Sequence, residues 1–291
     1  MSTYKFESAN EAFVKLAELI YTRPDFNVSP RGRATKENLG VSVEIADPYQ
    51  RYVTNKYRNL SLHYIVGEWL WYERGSNRLE EISYYSKFWN KISDDGVTVN
   101  SAYGYRILGN GPTAVVNQWS YVKNELLHDP DSRRAICIIV SADDMVNETK
   151  DFPCTAYLQF FIRDSRLYLS ANMRSNDLVL GLPNDIAAFT LLQEKMLIEL
   201  QKSFPGLSMG SYCHYAGSLH IYENNFGLIE SVLSNKDDNI DISLPLMSDI
   251  SQIANLQHNE KIIRLGSQEN LIPLTDKFCT ACQEVLLKYG R

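Results

Sequence analysis

Apolar residues recur at three- and four-residue spacing through "ESANEAFVKLAELIYT", residues 7–22, immediately after Ser8 and with Glu11 three positions on. That pattern predicts an amphipathic helix opened by a capping box. The basic stretch "SPRGRATK" then runs into the alternating "ENLGVSVEIADP", which predicts a strand. "YRNLSLHYIVGEWLWYERG", residues 57–75, is largely apolar and ends in glycine, so it reads as a buried helix closed by Gly75. Glu68 lies inside it between Gly67 and Trp69. A carboxyl in such company has to be paired, protonated or functional.

Further along, "RRAICIIVS" and "TAYLQFFIRDSRLYLSANM" predict three strands rich in β-branched and aromatic residues, the last two joined around "RDSR". "NDIAAFTLLQEKMLIELQKSF" predicts a long buried helix beginning at Ile186, with Asp185 or Asn184 as its cap, and "GSLHIYE" predicts a short strand. The polar "SNKDDNIDIS" reads as a loop, followed by a helical tail to Arg291. Helices interspersed with mostly antiparallel strands give an α+β fold. The simplest division is a catalytic domain over 1–233 and a helical C-terminal extension over 234–291 packed on the same domain.

Composition narrows the function. The 291 residues, 44% of them hydrophobic, suffice for a large core, and 29 basic against 35 acidic residues give a net charge of −6. Such a balance gives no general attraction to polyanions, so nucleic acid is not the expected partner, although a local basic cluster can still hold a small anion. No apolar run reaches the roughly 18 residues of a membrane span, and "MSTYKFESANEAF" lacks the features of a secretion signal, so a cytoplasmic protein is expected. Five cysteines without such a signal imply reduced thiols. Cys279 and Cys282 form a C-x-x-C pair on a helical pattern, without the second pair that a zinc site needs, and no metal is expected.

Six segments, "GEWLWYERGSN", "NSAYGYRI", "DPDSRRA", "FPC", "NMRSNDLVLGLPNDIA" and "GSLHIYENN", occur in an order that resembles the thymidylate synthase superfamily, and within it the deoxycytidylate hydroxymethylase branch. The resemblance runs from about Arg31 to Asn225, roughly two thirds of the chain. It implies a three-layer fold around a mostly antiparallel sheet and a homodimer formed through that sheet. It also implies a pyrimidine nucleoside monophosphate substrate and 5,10-methylenetetrahydrofolate as co-substrate.

The chemistry fits these residue types. A pyrimidine C5 is a poor nucleophile until a soft nucleophile adds to C6, and a thiolate suits that addition. By resemblance Cys154 is the nucleophile; Arg174 would lower its pKa while binding phosphate with Ser175. Arg133 and Arg134 would reach the partner's site. Arg31 or Arg33, with Arg31 favoured, would complete the clamp. His220 and Tyr222, alternating on a strand, would bind the sugar 3′-hydroxyl. Glu68 matches a general acid/base carboxylate and Tyr103 a tyrosine near the C5 proton. Trp89, Asp177, Leu180 and Gly181 match the folate-facing wall, with Asp177 contacting the pterin.

Two departures from the methylating enzymes set the expected base. Asp185 stands where they carry asparagine, and a carboxylate accepts from the cytosine N4 amino group where an asparagine amide suits uracil. Thr155 follows the nucleophile in place of histidine. Both changes mark the hydroxymethylase branch, in which water captures the exocyclic methylene that hydride captures in thymidylate synthases. Retained Ser175 favours dCMP over CMP. The alternatives are a thymidylate synthase with an unusual Asp185, or a non-catalytic nucleotide-binding member of the fold. Residues 226–291 show no recognisable version of the segment that closes over folate in thymidylate synthases.

Overall fold

A computed structural model of the chain describes residues 2–109, 116–146 and 148–289. Strand β1 (Ser2–Phe6) and helix α1 (Ala9–Thr22) come first, then β2 (Phe26–Val28) and β3 (Thr35–Ile45). Helix α2 (Leu62–Arg74) is followed by the short helices α3 (Leu79–Ile82), α4 (Trp89–Ile92) and α5 (Tyr103–Ile107), then by α6 (Gln118–His128) and β4 (Ile136–Ile138). The hairpin β5 (Thr155–Arg163) and β6 (Arg166–Met173) leads through β7 (Asn176–Asp177) into α7 (Gly181–Gln201) and β8 (Ser208–Tyr222). Three helices complete the chain: α8 (Phe226–Ser234), α9 (Ile253–Arg264) and α10 (Lys277–Tyr289).

Local chemistry explains the boundaries. Ser8 caps α1 by accepting from the Glu11 amide, while the Glu11 carboxylate reaches back to the Glu7 amide. Gly75 ends α2 in the left-handed conformation that favours glycine, at φ 61°. Asp164 and Ser165 join β5 to β6 with two consecutive left-handed residues, the geometry of a tight hairpin turn.

The sheet runs in the order β1-β3-β8-β6-β5-β4, with β2 added on β3 and β7 on β8. It is more mixed than the sequence led us to expect. Pairing is antiparallel where β3 meets β2 and β8 and where β5 meets β4 and β6, but parallel for β1/β3, β6/β8 and β7/β8. Parallel neighbours need a long crossover, and α7 supplies it between β6 and β8. The Gln193 amide donates to the Leu167 and Gly210 carbonyls where the β6/β8 register shifts, satisfying acceptors that the ladder leaves open. The strand around "GSLHIYE" is the end of a 15-residue β8, not a short separate element. Helix α7 begins at Gly181 rather than Ile186, which puts Pro183 in its first turn, where proline is tolerated, and removes Asp185 from any capping role.

Helices α1, α6 and α7 cover one face of the sheet, and α2, packed on α7, carries α9 and α10 as the next layer, so the α+β fold has three layers. Side chains of Val43, Phe160, Leu169 and Ala216 enter the core from that face. On the opposite face Tyr157, Phe161, Tyr168 and Tyr215 are only half covered. Trp69 meets Phe278 edge to face across α2 and α10. No helix among the described residues is long and apolar enough to cross a membrane.

One buried ion pair ties the chain's distant parts together. Arg51 Nη2 lies 2.7 Å from Glu194 Oε2 on α7, both side chains 3% exposed, while Glu194 Oε1 accepts from the Met247 amide. Arg51→Ala strips the carboxylate of its cation inside the core, and urea unfolding is expected to show a loss of about 3–5 kcal/mol.

Candidate active site

The nucleophile candidate sits just before β5. Arg174, just past the end of β6, donates from Nε to the Pro153 carbonyl at 3.0 Å and from Nη2 to the Phe152 carbonyl at 2.9 Å, with Nη2 also 3.7 Å from the Cys154 sulfur. The Arg174 amide donates to the Cys154 carbonyl, so the two residues are joined through backbone and side chain alike. Gly217 makes this possible from the next strand: a Cβ there would stand 2.7 Å from the Arg174 carbonyl oxygen. Burial pushes the Cys154 thiol above its ordinary value, and the Arg174 and Arg31 guanidinium groups pull the other way without overcoming it. The sequence anticipated the sign of Arg174's effect but not that desolvation outweighs it.

Glu68 faces the same space from α2. Its neighbours at i−4 and i+4, Tyr64 and Tyr72, present phenols on the same helix face, and Tyr64 Oη donates to Glu68 Oε1 at 2.8 Å. Trp89 Nε1 donates in turn to Tyr64 Oη at 3.2 Å. Desolvation, helped by the negative charge of Asp185, pushes Glu68 from 4.5 up to about 8, against the two phenol hydrogen bonds. At neutral pH this carboxyl holds its proton and can act as an acid. Tyr103 Oη accepts from the Thr155 amide at 3.3 Å, which places the phenol beside the residue after the nucleophile.

Asp185 lies in the second turn of α7. Its Oδ2 accepts from Asn176 Nδ2 at 2.7 Å, and part of its surface stays open. Desolvation raises its pKa to about 7, with the Asn176 hydrogen bond opposing and Asp177 adding to the rise. Gly181 leaves room for this contact, since a Cβ there would come within 2.7 Å of Asn176 Nδ2. Asp177 Oδ1 accepts from the Val179 and Leu180 amides at the entrance to α7. Leu180 is exposed and Trp89 half-exposed, so both have free apolar surface.

His220 and Tyr222 share a face of β8, their rings 4.8 Å apart. The Ser218 hydroxyl donates its one proton to Glu37 Oε1 and lies 3.3 Å from His220 Nδ1. His220 Nδ1–H is therefore the donor to Ser218, which leaves Nε2 as an acceptor suited to a hydroxyl. Burial lowers the His220 pKa, consistent with a neutral ring. Arg33 stacks over Tyr222 at 4.0 Å, whereas Arg31 stands at left-handed φ 53° and is the one whose charge reaches Cys154. Arg133 and Arg134 are exposed on the segment entering β4, Arg134 pairing with Glu125 at 3.0 Å. Ser175 is half-buried between Arg174 and Asn176.

The structure adds residues that the sequence did not single out. Besides Tyr64 and Tyr72, Arg58 donates to the Val179 carbonyl at 2.6 Å and faces Asp177, its pKa brought down to about 10 by burial. Asn176 and His214 extend the contacts behind Asp185. The pair of tyrosines one helical turn to either side of Glu68, Tyr64 and Tyr72, was a readable signal; the Asn176 contact with Asp185 on the next element was not. Cys279 and Cys282 are both buried in α10, and burial pushes Cys279 up to about 12 and Cys282 well above its ordinary value, which makes both thiols unreactive. Among the described residues no cluster of His, Cys, Asp and Glu forms a metal site.

Residues 13–264 match the profile of the family described as thymidylate synthase. The chain is 30% identical over 236 residues to the deoxyuridylate hydroxymethyltransferase of Bacillus phage SP01, an alignment covering 78% of this chain and 60% of that protein. It is 32% identical over 213 residues to the deoxycytidylate 5-hydroxymethyltransferases of Enterobacteria phages T6 and T4, covering 71% of this chain and 83% of each. The chain thus spans less than two thirds of the length of the SP01 protein.

Glu68 gives a pH test of this geometry. Its folded-state pKa is raised, so its contribution to stability is complete below about pH 4.5 and is lost as pH rises towards about 8. Glu68→Gln is expected to remove up to about 1.4 kcal/mol per pH unit of that decline, read as a flatter pH dependence of chemical denaturation.

Proposed function

The chain belongs to the thymidylate synthase family, and on that premise we propose that it is a folate-dependent transferase that hydroxymethylates C5 of a cytosine nucleotide, dCMP in preference to CMP. The observation that carries this reading is Asp185: a carboxyl in the pocket of Cys154 and Glu68, with one oxygen occupied by Asn176. Its other oxygen suits the N4 amino group of cytosine.

The residues divide the work by position. Arg174 and Ser175, with Arg31, hold the phosphate, and His220 and Tyr222 take the 3′-hydroxyl. Cys154 adds to C6 of the ring while Asp185, by accepting from N4 and favouring a proton on N3, makes C6 electrophilic. 5,10-Methylenetetrahydrofolate supplies the methylene group to C5 when bound. The half-exposed Trp89, exposed Leu180 and the Asp177 carboxylate fit a flat heterocycle bearing N–H donors. Tyr103 stands near the C5 proton, and Glu68, protonated at neutral pH, serves as the acid and then orients the water that captures the exocyclic methylene. The net change consumes one water and releases tetrahydrofolate.

The half-covered aromatic face of the sheet is the surface through which we propose homodimerisation, with Arg133 and Arg134 completing the partner's phosphate site. A second reading, deoxyuridylate as substrate, is favoured by the pKa of about 7 for Asp185, because a protonated carboxyl donates to O4.

Incubation with 5,10-methylenetetrahydrofolate and dCMP, CMP or dUMP, followed by product mass, tests the reaction. A gain of a hydroxymethyl group on dCMP is expected; a methyl gain on dUMP identifies a thymidylate synthase, and no turnover supports a binding protein. Cys154→Ser is expected to lower turnover by roughly a thousandfold or more. Asp185→Asn is expected to move the dCMP-to-dUMP preference towards dUMP by about tenfold or more, measured as the ratio of kcat/KM values.

A further inference from the structure

We propose that Asn176, His214 and Tyr212 are positioning residues that hold Asp185 as a hydrogen-bond acceptor and thereby set the preference for a 4-amino over a 4-oxo pyrimidine. This rests on the reading of Asp185 as the residue that faces the base. Asn176 Nδ2 lies 2.7 Å from Asp185 Oδ2, Asn176 Oδ1 lies 3.2 Å from His214 Nε2, and His214 Nδ1 lies 2.8 Å from Tyr212 Oη. All three residues behind Asp185 are buried. They come from β7 and β8, two strands of the sheet, and meet α7 at the place where Gly181 admits the amide.

The direction of this chain is fixed at its far end. Burial holds His214 far below its ordinary value, at about 3, so the ring is neutral and carries a single N–H. No partner for the Tyr212 hydroxyl other than His214 is found among the described residues. Tyr212 therefore donates to Nδ1, since the opposite sense would leave a phenol proton without an acceptor in the core. The His214 proton then sits on Nε2 and is given to Asn176 Oδ1, which turns the amide nitrogen towards Asp185. Reversing any one bond requires reversing all three. Asp185 Oδ2 thus always meets a donor, which opposes protonation and favours the accepting form against the desolvation that raises the carboxyl to about 7.

The other ionisable groups around Asp185 make this donor decisive. Facing it are Tyr64, Glu68 and Tyr72 from α2, Tyr103 from α5, Cys154 ahead of β5, Asp177 from β7 and Tyr212 from β8. These are carboxyls, phenols and a thiol, none of which offers a compensating positive charge. The Asn176 amide is the hydrogen bond that opposes protonation of Asp185. Without it the carboxyl keeps its proton to higher pH, and a protonated carboxyl donates to the O4 of uracil instead of accepting from the N4 of cytosine.

The test is binding of dCMP and dUMP by titration calorimetry across pH, on the full chain and on Asn176→Ala and Tyr212→Phe. Wild-type protein is expected to prefer dCMP. In Asn176→Ala the dCMP-to-dUMP affinity ratio is expected to fall by about tenfold, and acid loss of dCMP affinity should set in at higher pH. Tyr212→Phe, which removes one oxygen and keeps the ring, is expected to lower the ratio in the same direction by about threefold, and it decides the question if Asn176→Ala does not fold. A wild-type preference for dUMP, or a ratio and pH profile unchanged in the folded variants, overturns the proposal. Turnover is scored separately: failure to hydroxymethylate dCMP overturns the proposed reaction, while the binding ratio still decides the role of the chain behind Asp185.

Discussion

Glu68 and Asp185 bring two carboxyl groups into one desolvated pocket with no cation beside either among the described residues, and the surrounding structure answers that cost. Removing an ionised carboxylate from water is among the most expensive acts in folding unless hydrogen bonds or a proton relieve it. The protein uses both remedies. Phenols at i−4 and i+4 on α2 and a raised pKa of about 8 accommodate Glu68; the Asn176 amide and a pKa of about 7 accommodate Asp185. Because the charge of Asp185 helps keep the proton on Glu68, the two groups are driven towards different protonation states, as the proposed division into an acid and an acceptor requires.

The backbone around the pocket is arranged so that these groups keep their distances. Arg174 uses its guanidinium on the Phe152 and Pro153 carbonyls, so the cation and the loop bearing Cys154 move as one body. Gly217 lets β8 approach the Arg174 carbonyl, and Gly181 lets α7 approach Asn176. The parallel β6-α7-β8 crossover is the frame for both approaches: it sets Arg174 just past the end of one strand, His220 on the next, and Asp185 on the helix between them. The strand ends and the helix start of one βαβ unit therefore carry most of the residues proposed to bind the nucleotide.

Elements governed by near neighbours in the chain were legible in the sequence. Ser8 with Glu11, Gly75 after an apolar run, and "RDSR" between two alternating stretches each fix local backbone by contacts a few residues apart. The longer part of β8 was not legible, because "SMGSYCHYAG" mixes glycines with polar residues; those residues answer to other strands, as Gly210 does to the Leu167 carbonyl. The early start of α7 was hidden by Gly181 and Pro183, which read as a turn and are in fact a first helical turn. Parallel pairing of β6 with β8 leaves no local trace at all. The catalytic candidates came from motif resemblance, whereas Asn176 and His214 are tied by hydrogen bonds spanning 9 and 38 positions, beyond any spacing rule.

At Cys154 burial outweighs the arginine beside it. Its thiol is pushed up by burial even with Arg174 at 3.7 Å, so the thiolate is not stored in advance. A bound phosphate would draw further on the positive charge of Arg174, which makes permanent activation by that arginine still less effective. On the proposed reading, attack on C6 is best coupled to protonation of the ring itself: a carboxylate that accepts from the exocyclic amine favours a proton on N3, and that proton takes up the electron pair pushed into the ring. Under the proposed function the residue that selects the base is also the one that makes C6 worth attacking, and such a site needs no strongly acidic cysteine if its acceptor is held in register.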